Sequence, residues 1–314
     1  MAEQAVRRVA VVGTGVIGAS WAACFLASGL DVVATDPAPA AEAALHAAVA
    51  GHWPSMQAIG LALGASPGRL AFAATVEAAV EGADFVQENG PERLELKREL
   101  FRRMDAAARP EAVLASSSSS LMMTEVQVAC AHPERVLLGH PFNPPHLVPL
   151  VEVAGGRQTS EAAVAAAMAF YAACGKRPIR LRKEMRGHVA NRLQAALWQE
   201  AFHLVREGVV SVADLDAAIS HGPGLRWALL GPFLNLHLSG GAGGMAHNLA
   251  HLGPAMEAMW RDLGTVSLDP ATQAAMVAGV DAELAGRDLG AMVRERDAVL
   301  VRLLQMKADA PALP

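Results

Sequence analysis

Two ionisable side chains in the middle of the chain have the types and spacing of an acid–base pair. His140 lies directly after an apolar run, and Glu152 lies 12 residues further on, in the next apolar run. A carboxylate that binds an imidazole fixes its tautomer and stabilises its protonated form, which makes the histidine a good general base. On spacing alone, a structural histidine in a proline-rich turn with a solvated Glu152 is the more common arrangement.

Hydroxyl and amide side chains occur at two further places where they could contact a substrate oxygen. Five consecutive serines, beginning with Ser116 and ending with Ser120, follow another apolar run. Their hydroxyls could bind a substrate alcohol, or could cap the next helix. Asn191 stands near the start of a long helical stretch and could donate to a substrate oxygen, although a local backbone hydrogen bond is its more common role.

The glycine-rich segment 13–18 has the spacing of a dinucleotide-binding loop. An apolar run precedes it, a helical pattern follows it, and the next apolar run ends in Asp36. Gly13 allows the tight turn, Gly15 lets a pyrophosphate approach the backbone, and Gly18 lets the helix pack on the strand. Alone, this glycine spacing is often only a tight turn, but between a strand and a helix it predicts a nucleotide site.

The start of the following helix would hold the phosphates, and Asp36 would select the nucleotide. Free backbone N–H groups at Val16 and Ile17, together with the helix dipole, favour an anion. Asp36 would accept hydrogen bonds from the ribose hydroxyls and would repel a 2′-phosphate. The predicted cofactor is therefore NAD rather than NADP.

The elements that must position these residues alternate between strand and helix in the first half of the chain. Apolar runs that predict buried parallel strands are separated by helical stretches such as 17–28 and 91–108. The runs cover residues 9–12, 31–36, 70–73, 84–87, 113–115, 136–138 and 150–153. This repetition predicts an α/β fold with a Rossmann-type, doubly wound and mainly parallel sheet.

From about residue 185 onward the pattern becomes helical. Residues 189–206 form a long amphipathic stretch, and residues 212–220 form a shorter one with Ser211 as its N-cap. We therefore predict two domains. An NAD-binding Rossmann domain covers residues 1–184, and an all-helical substrate and dimerisation domain covers residues 185–314.

Composition and charge argue against several classes of partner and site. The chain has 314 residues, of which 53% are hydrophobic, so two cores can be buried. Its net charge of −5 provides no electrostatic footprint for nucleic acid. It shows no membrane span and no signal segment. The three cysteines lack metal-ligand spacing and favour a reducing, cytoplasmic setting.

Together these segments resemble the 3-hydroxyacyl-CoA dehydrogenase superfamily over nearly the whole chain. The matching segments are 11–18, 88–92, 115–116, 139–144, 150–153 and 191–193. The resemblance implies that His140 is the catalytic base and that Glu152 is its partner. It also implies that Ser116 and Asn191 contact the reacting oxygen.

The same resemblance extends to the cofactor and to assembly. It implies that Glu92 and Lys97 lie at the nicotinamide side of NAD. It also implies a homodimer formed through the helical half, which has many apolar positions for its length.

Within the superfamily, the resemblance is closest to the L-carnitine 3-dehydrogenases and next to the gulonate 3-dehydrogenase and lambda-crystallin branch. It is carried by segments 21–23, 31–37, 140–147, 192–198 and 221–228. It implies oxidation of the secondary alcohol of a small 3-hydroxy acid, with L-carnitine as the expected substrate. Ser117, Asn143 and His188 are then expected to contact that substrate.

Two features bear on the substrate independently. Residues 37–68 contain no Lys or Arg, although a CoA substrate carries several phosphate charges that need cations. Arg226 could hold a substrate carboxylate through a bidentate pair, or could stabilise helix ends at a dimer interface. The first feature argues against CoA, and the second leaves both roles open.

The loop at His188 departs from the carnitine branch, which usually has Gly-Phe-Ile where this chain has Gly187-His188-Val189. A histidine would weaken an aromatic wall for a trimethylammonium group. Other substrates therefore stay open: L-gulonate or another 3-hydroxy acid, a 3-hydroxyacyl-CoA, or an imine or amine. A crystallin-like NAD-binding protein without catalysis is the non-enzymatic alternative.

Overall fold

The computed structural model describes residues 6–313, which divide between Asn191 and Arg192 into two compact units. The predicted domain boundary, after residue 184, lies in the loop that leads to the helix spanning this division. No helix within residues 6–313 is both long enough and apolar enough to cross a bilayer.

The first unit is built on one eight-stranded sheet. Its strands are β1 Arg8–Val12, β2 Asp31–Thr35, β3 Leu70–Phe72, β4 Phe85–Glu88, β5 Val113–Ser116, β6 Val136–Pro141, β7 Leu150–Gly155 and β8 Arg177–Arg180. Its helices are α1 Val16–Ala27, α2 Ala41–Ile59, α3 Val76–Val80, α4 Leu94–Ala107, α5 Met123–Val126 and α6 Glu161–Ala173. The predicted mainly parallel, doubly wound sheet is confirmed.

The sheet has the order β3-β2-β1-β4-β5-β6-β7-β8, and only the β6–β7 pair is antiparallel. The order reverses between β1 and β4, so the carboxyl ends of these strands flank a topological switch point, where doubly wound folds bind nucleotides. Alternate residues of β1 face opposite cores. Val9 and Val11 pack into a core with α1, α2 and α6, whereas Ala10 and Val12 pack into one with α3 and α4.

The second unit is helical, as predicted. After α7 Ala190–Arg206, which spans the division, come α8 Val212–Ser220, α9 Pro223–Trp227, α10 Pro232–Ser239, α11 Gly244–Asp262, α12 Pro270–Glu283 and α13 Leu289–Ala308. Ser211 caps α8 as predicted, because its Oγ accepts a hydrogen bond from the Asp214 N–H at 3.1 Å. In the described part of this unit, Val301 is the only apolar side chain that is buried.

Candidate active site

The glycine loop between β1 and α1 has the backbone that the sequence predicts. Gly13 adopts a φ of +88°, which glycine alone adopts readily. A Cβ at Gly18 would lie 1.9 Å from the Gly13 carbonyl oxygen, so the start of α1 can pack against the loop only with glycine there. A Cβ at Gly15 would meet nothing within 4 Å, which leaves open space over the loop.

The start of α1 fits a dinucleotide pyrophosphate. Gly15 is the N-cap and supplies no capping side chain, so the amides of Val16 and Ile17 are left for an anion. Val16 is 72% exposed, which leaves this helix end accessible. Asp36 lies beside the loop, because its Oδ2 accepts a hydrogen bond from the Thr14 N–H at 2.7 Å.

His140 and Glu152 face each other across the antiparallel pair β6–β7, where they are register partners. His140 Nδ1 lies 2.9 Å from Glu152 Oε2, and both side chains are buried. The other carboxylate oxygen accepts hydrogen bonds from the N–H groups of Val189, at 2.8 Å, and Ala190, at 3.0 Å. Burial raises the pKa of Glu152, but the hydrogen bonds from His140 and these two amides outweigh it and lower the pKa below its ordinary value.

The tautomer of His140 follows from this contact. An ionised carboxylate can only accept hydrogen bonds, so Nδ1 must carry the hydrogen and Nε2 carries the lone pair in the neutral ring. Among residues 6–313, no group forms a hydrogen bond with Nε2, so its lone pair is left for a substrate hydroxyl.

His188 lies beside this pair in a strained conformation. Its φ of +52° is unusual for a residue with a side chain, and it follows Gly187 at +73°. Its ring centroid lies 5.0 Å from that of His140, and its Nε2 lies 3.0 Å from the carbonyl oxygen of Ser118. Burial lowers the pKa of His188 below its ordinary value, and nearby His140 lowers it further, although the hydrogen bond to Ser118 opposes both.

The serine run begins with the last residue of β5, and its first two hydroxyls point into the protein. Ser116 is fully buried and donates to Glu88 Oε2 at 2.7 Å. Ser117 donates to Asn89 Oδ1 at 2.7 Å and accepts from Gln87 Nε2 and Trp21 Nε1 at 2.8 and 3.2 Å. A hydroxyl has one hydrogen and two lone pairs, so Ser117 has no capacity left for a substrate in this structure.

Glu92 joins the later serines to α4. Its Oε1 accepts hydrogen bonds from Ser118 Oγ at 2.6 Å and from the Ser120 hydroxyl at 2.9 Å. Its Oε2 lies 3.9 Å from Lys97 Nζ. Burial raises the pKa of Glu92, but the serine hydrogen bonds outweigh it and hold the pKa below its ordinary value. Glu92 and Lys97 thus lie close together at the ends of β4 and β5.

Glu88, at the end of β4, is a member of this site that the sequence patterns missed. Its carboxylate is fully buried and forms an ion pair with buried Lys97, at 2.8 Å. The available signal was a charged residue directly after the run 84–87, followed by a lysine nine positions later. Charged side chains are usually exposed, so nothing in the sequence marks these two residues as a buried pair.

The remaining predicted residues occupy different surroundings. Asn191 is partly buried, and its side chain forms no hydrogen bond within the described chain. Asn143 is exposed and precedes a cis peptide bond to Pro144. Arg226 is exposed on α9, in the second unit. The first unit therefore brings together His140, Glu152 and His188, with Asn191 next to the loop that binds Glu152.

Comparison with known proteins identifies two family models that cover most of the chain. Residues 8–185 match the NAD-binding domain of 3-hydroxyacyl-CoA dehydrogenase. Residues 187–267 match the C-terminal domain of the same family.

Individual relatives match over nearly the full length. The chain is 50% identical to an L-carnitine dehydrogenase of Streptomyces griseus, covering 99% of this chain and 92% of the relative. It is 48% identical to an L-carnitine dehydrogenase of Pseudomonas aeruginosa, covering 95% and 93%. Among solved structures, 5-formyl-3-hydroxy-2-methylpyridine 4-carboxylic acid 5-dehydrogenase, an NAD+-dependent dismutase, matches with a TM-score of 0.83 at 27% identity, covering 97% and 99%.

Proposed function

The chain belongs to the 3-hydroxyacyl-CoA dehydrogenase family, and within it we propose that this protein oxidises L-carnitine to 3-dehydrocarnitine. It is an NAD-dependent oxidoreductase, so the proposal concerns its substrate and the role of each residue. The observation that supports this substrate is the 50% identity, over 99% of the chain, to the Streptomyces griseus L-carnitine dehydrogenase.

The chemistry is supported by the His140–Glu152 pair. The Nε2 lone pair of His140 takes the hydroxyl proton of the substrate, and the buried Glu152 carboxylate, 2.9 Å from Nδ1, stabilises the imidazolium that forms. NAD, when bound, supplies the hydride acceptor. Proton removal by a positioned base of this kind contributes about 10²- to 10⁴-fold to the rate.

Asn191 is the proposed donor to the substrate oxygen. Its amide is uncommitted in the described chain and stands next to Ala190, whose N–H binds Glu152 at 3.0 Å. The Ser116 hydroxyl already donates its only hydrogen bond to Glu88, so we assign it no donor role toward the substrate. An amide aimed at developing negative charge is a typical means of stabilising a transition state.

Arg226 is the proposed ligand of the substrate carboxylate. Its guanidinium can bind a carboxylate bidentately, which Lys cannot reproduce. We expect Arg226→Lys to raise the KM for L-carnitine by about tenfold without changing the oligomeric mass, because a charge-assisted hydrogen bond contributes about 1.5–3 kcal/mol. A change in oligomeric mass at unchanged KM would instead assign Arg226 to a subunit interface.

A homodimer is the proposed assembly. The second unit exposes large apolar side chains, including Trp198, Phe233 and Trp260, at 53%, 76% and 62%. Exposed apolar side chains of this size favour an interface, and closed two-fold association is the most common way to cover them. Sedimentation velocity tests this assembly.

The three cysteines are free thiols, which supports a reducing, cytoplasmic setting.

The substrate proposal is tested by a parallel assay of NADH formation. The purified protein is assayed with L-carnitine, L-gulonate, 3-hydroxybutyrate and a 3-hydroxyacyl-CoA, with the His140→Gln variant as the background control. We expect L-carnitine to have the highest kcat/KM. A higher value for any of the other three substrates would overturn the proposed substrate and leave the family assignment intact.

A further inference from the structure

In the buried Glu88–Lys97 ion pair, Lys97 uses all three hydrogens of its ammonium group in hydrogen bonds. Lys97 Nζ lies 2.8 and 2.9 Å from the two oxygens of Glu88 and 3.1 Å from the carbonyl oxygen of Gly90. The carboxylate also accepts from the Gly90 N–H at 2.6 Å and from Ser116 Oγ at 2.7 Å. Lys97 and Glu88 are 1% and 0% exposed, so neither charge can reach a bound molecule in this structure.

On one side, this carboxylate supports the cofactor loop. It fixes Gly90, which lies against the first glycine of that loop. A Cβ on Gly13 would lie 2.9 Å from the carbonyl of Asn89 and 3.0 Å from the Gly90 nitrogen. The backbone that packs on the turn at Gly13 is therefore the backbone that Glu88 and Lys97 hold.

On the other side, the carboxylate supports the loop beside the base. Ser116 Oγ, bound to Glu88, accepts a hydrogen bond from the Ser118 N–H at 3.2 Å. The Ser118 carbonyl in turn binds His188 Nε2 at 3.0 Å. The next two amides after His188 bind Glu152. An unbroken series of contacts thus runs from Glu88 to the carboxylate that orients His140.

We propose that Glu88, with its charge balanced by Lys97, is a positioning residue for the reaction. It acts through Ser116 and Ser118 on the loop that carries His188, and through Gly90 on the glycine loop. A buried ion pair contributes little to stability compared with apolar side chains of the same volume, so stability alone gives little reason for it. Catalytic geometry is a stronger reason, because a displacement of about 1 Å can cost about 100-fold in rate.

The first test removes one hydroxyl. Ser116→Ala deletes the contact that transmits the position of Glu88 and leaves both charges paired. Because the role is positional, we expect kcat with L-carnitine to fall by about tenfold to 100-fold, with the KM for L-carnitine and the Kd for NADH within about twofold of wild type. An unchanged kcat would overturn the proposal.

A second variant separates positioning from direct contact between Ser116 and the substrate. Glu88→Gln/Lys97→Met removes both charges and keeps the Ser116 hydroxyl. The proposal predicts a similar fall in kcat, and no further fall when Ser116→Ala is added, because the three side chains act in one series. Wild-type kcat in the double variant, or losses that multiply in the triple variant, would overturn it.

The matched control is the ion pair between Arg103 on α4 and Glu77 on α3. Arg103 Nε lies 2.7 Å from Glu77 Oε1, and both side chains are half-exposed. Glu77→Gln/Arg103→Met should leave kcat unchanged, and a fall equal to that of the buried pair would overturn the proposal.

The kinetic tests rest on the proposed function, so a readout independent of substrate is included. In the NADH-bound protein, NMR signals of the His188 ring should shift in Ser116→Ala and stay fixed in the control variant. Unshifted signals in Ser116→Ala would overturn the positioning role. If Ser116→Ala shows these shifts but the wild-type protein does not turn over L-carnitine, the substrate proposal alone is contradicted.

Discussion

His140 Nδ1 and Glu152 Oε2 lie 2.9 Å apart because β6 and β7 run antiparallel with these two residues in direct register. A parallel β7 would have placed this carboxylate elsewhere, so the one reversal in the sheet creates the acid–base pair. Glu152 is itself fixed by the amides of Val189 and Ala190. The base, its partner and the start of α7 therefore form one hydrogen-bonded unit.

Replacing the base should abolish most of the turnover and spare cofactor binding. We expect His140→Gln to lower kcat by about 100-fold or more, because glutamine cannot take the hydroxyl proton. Fluorescence titration should give an NADH Kd within about twofold of wild type, since the glycine loop is untouched. Unchanged turnover would remove His140 from the mechanism.

Replacing Glu152 should act through the histidine tautomer. In Glu152→Gln, the single amide oxygen goes to the N–H groups of Val189 and Ala190, and the NH2 group faces Nδ1. That arrangement favours the His140 tautomer with hydrogen on Nε2, which cannot act as a base, so kcat should fall by about 10²- to 10⁴-fold. Steady-state kinetics measures the effect.

The matched control for Glu152 is Glu134→Gln, which neutralises an exposed carboxylate 3.6 Å from His132. It should retain wild-type kcat. A loss in Glu152→Gln no greater than in this control would argue that Glu152 does not act on the base.

The depressed pKa of His188 predicts acid-dependent stability. Its pKa lies below the ordinary 6.5 because burial disfavours the charged ring. The unfolded chain therefore binds this proton first, so the stabilisation is fully present above pH 6.5 and is lost as the pH falls from there through the folded-state pKa. Glu152, whose pKa is also lowered, loses its contribution only below about pH 4.5.

Urea unfolding between pH 7.5 and 5.5 tests this assignment. The free energy of unfolding should fall more steeply in wild type than in His188→Asn, because asparagine does not titrate and tolerates the positive φ. Parallel curves for the two proteins would show that His188 does not titrate abnormally.

Asp36 should set the preference for NAD. Its Oδ2 binds the Thr14 amide at 2.7 Å and its Oδ1 binds the Ala38 amide at 2.9 Å, so the charge is held next to the glycine loop. Asp36→Asn keeps an acceptor but removes the repulsion of a 2′-phosphate. The ratio of kcat/KM for NAD to that for NADP should fall by about tenfold or more. A ratio unchanged in that variant would place discrimination elsewhere.

Local patterns predicted the sheet and the glycine loop, because strand periodicity and turn glycines act over a few residues. They were less successful at element ends. The run 136–138 continues to Pro141 as β6, so His140 lies within the strand and not after it. The helix predicted from residue 91 begins at Leu94 as α4, after the turn that Glu88 holds at Gly90.

These local patterns could not predict contacts between residues that are far apart in the sequence. The sequence predicts that the serine hydroxyls bind a substrate or cap a helix, but Ser116 donates to Glu88 on the neighbouring strand. That pairing depends on β4 and β5 lying side by side with Glu88 opposite Ser116. Spacing along the chain carries no information about such a partner, and burial of an ionised pair runs against the usual exposure of charged residues.

The Glu88–Lys97 pair also constrains how this protein can evolve. Loss of either partner alone leaves an uncompensated buried charge, at a cost of about 3–5 kcal/mol, out of a total stability that is typically about 5–15 kcal/mol. Each single substitution therefore removes a large part of the stability, although the doubly substituted protein can be stable. In diverging descendants of this protein, positions 88 and 97 should change together or remain as they are. The two positions should therefore be substituted far more slowly than their burial alone would suggest.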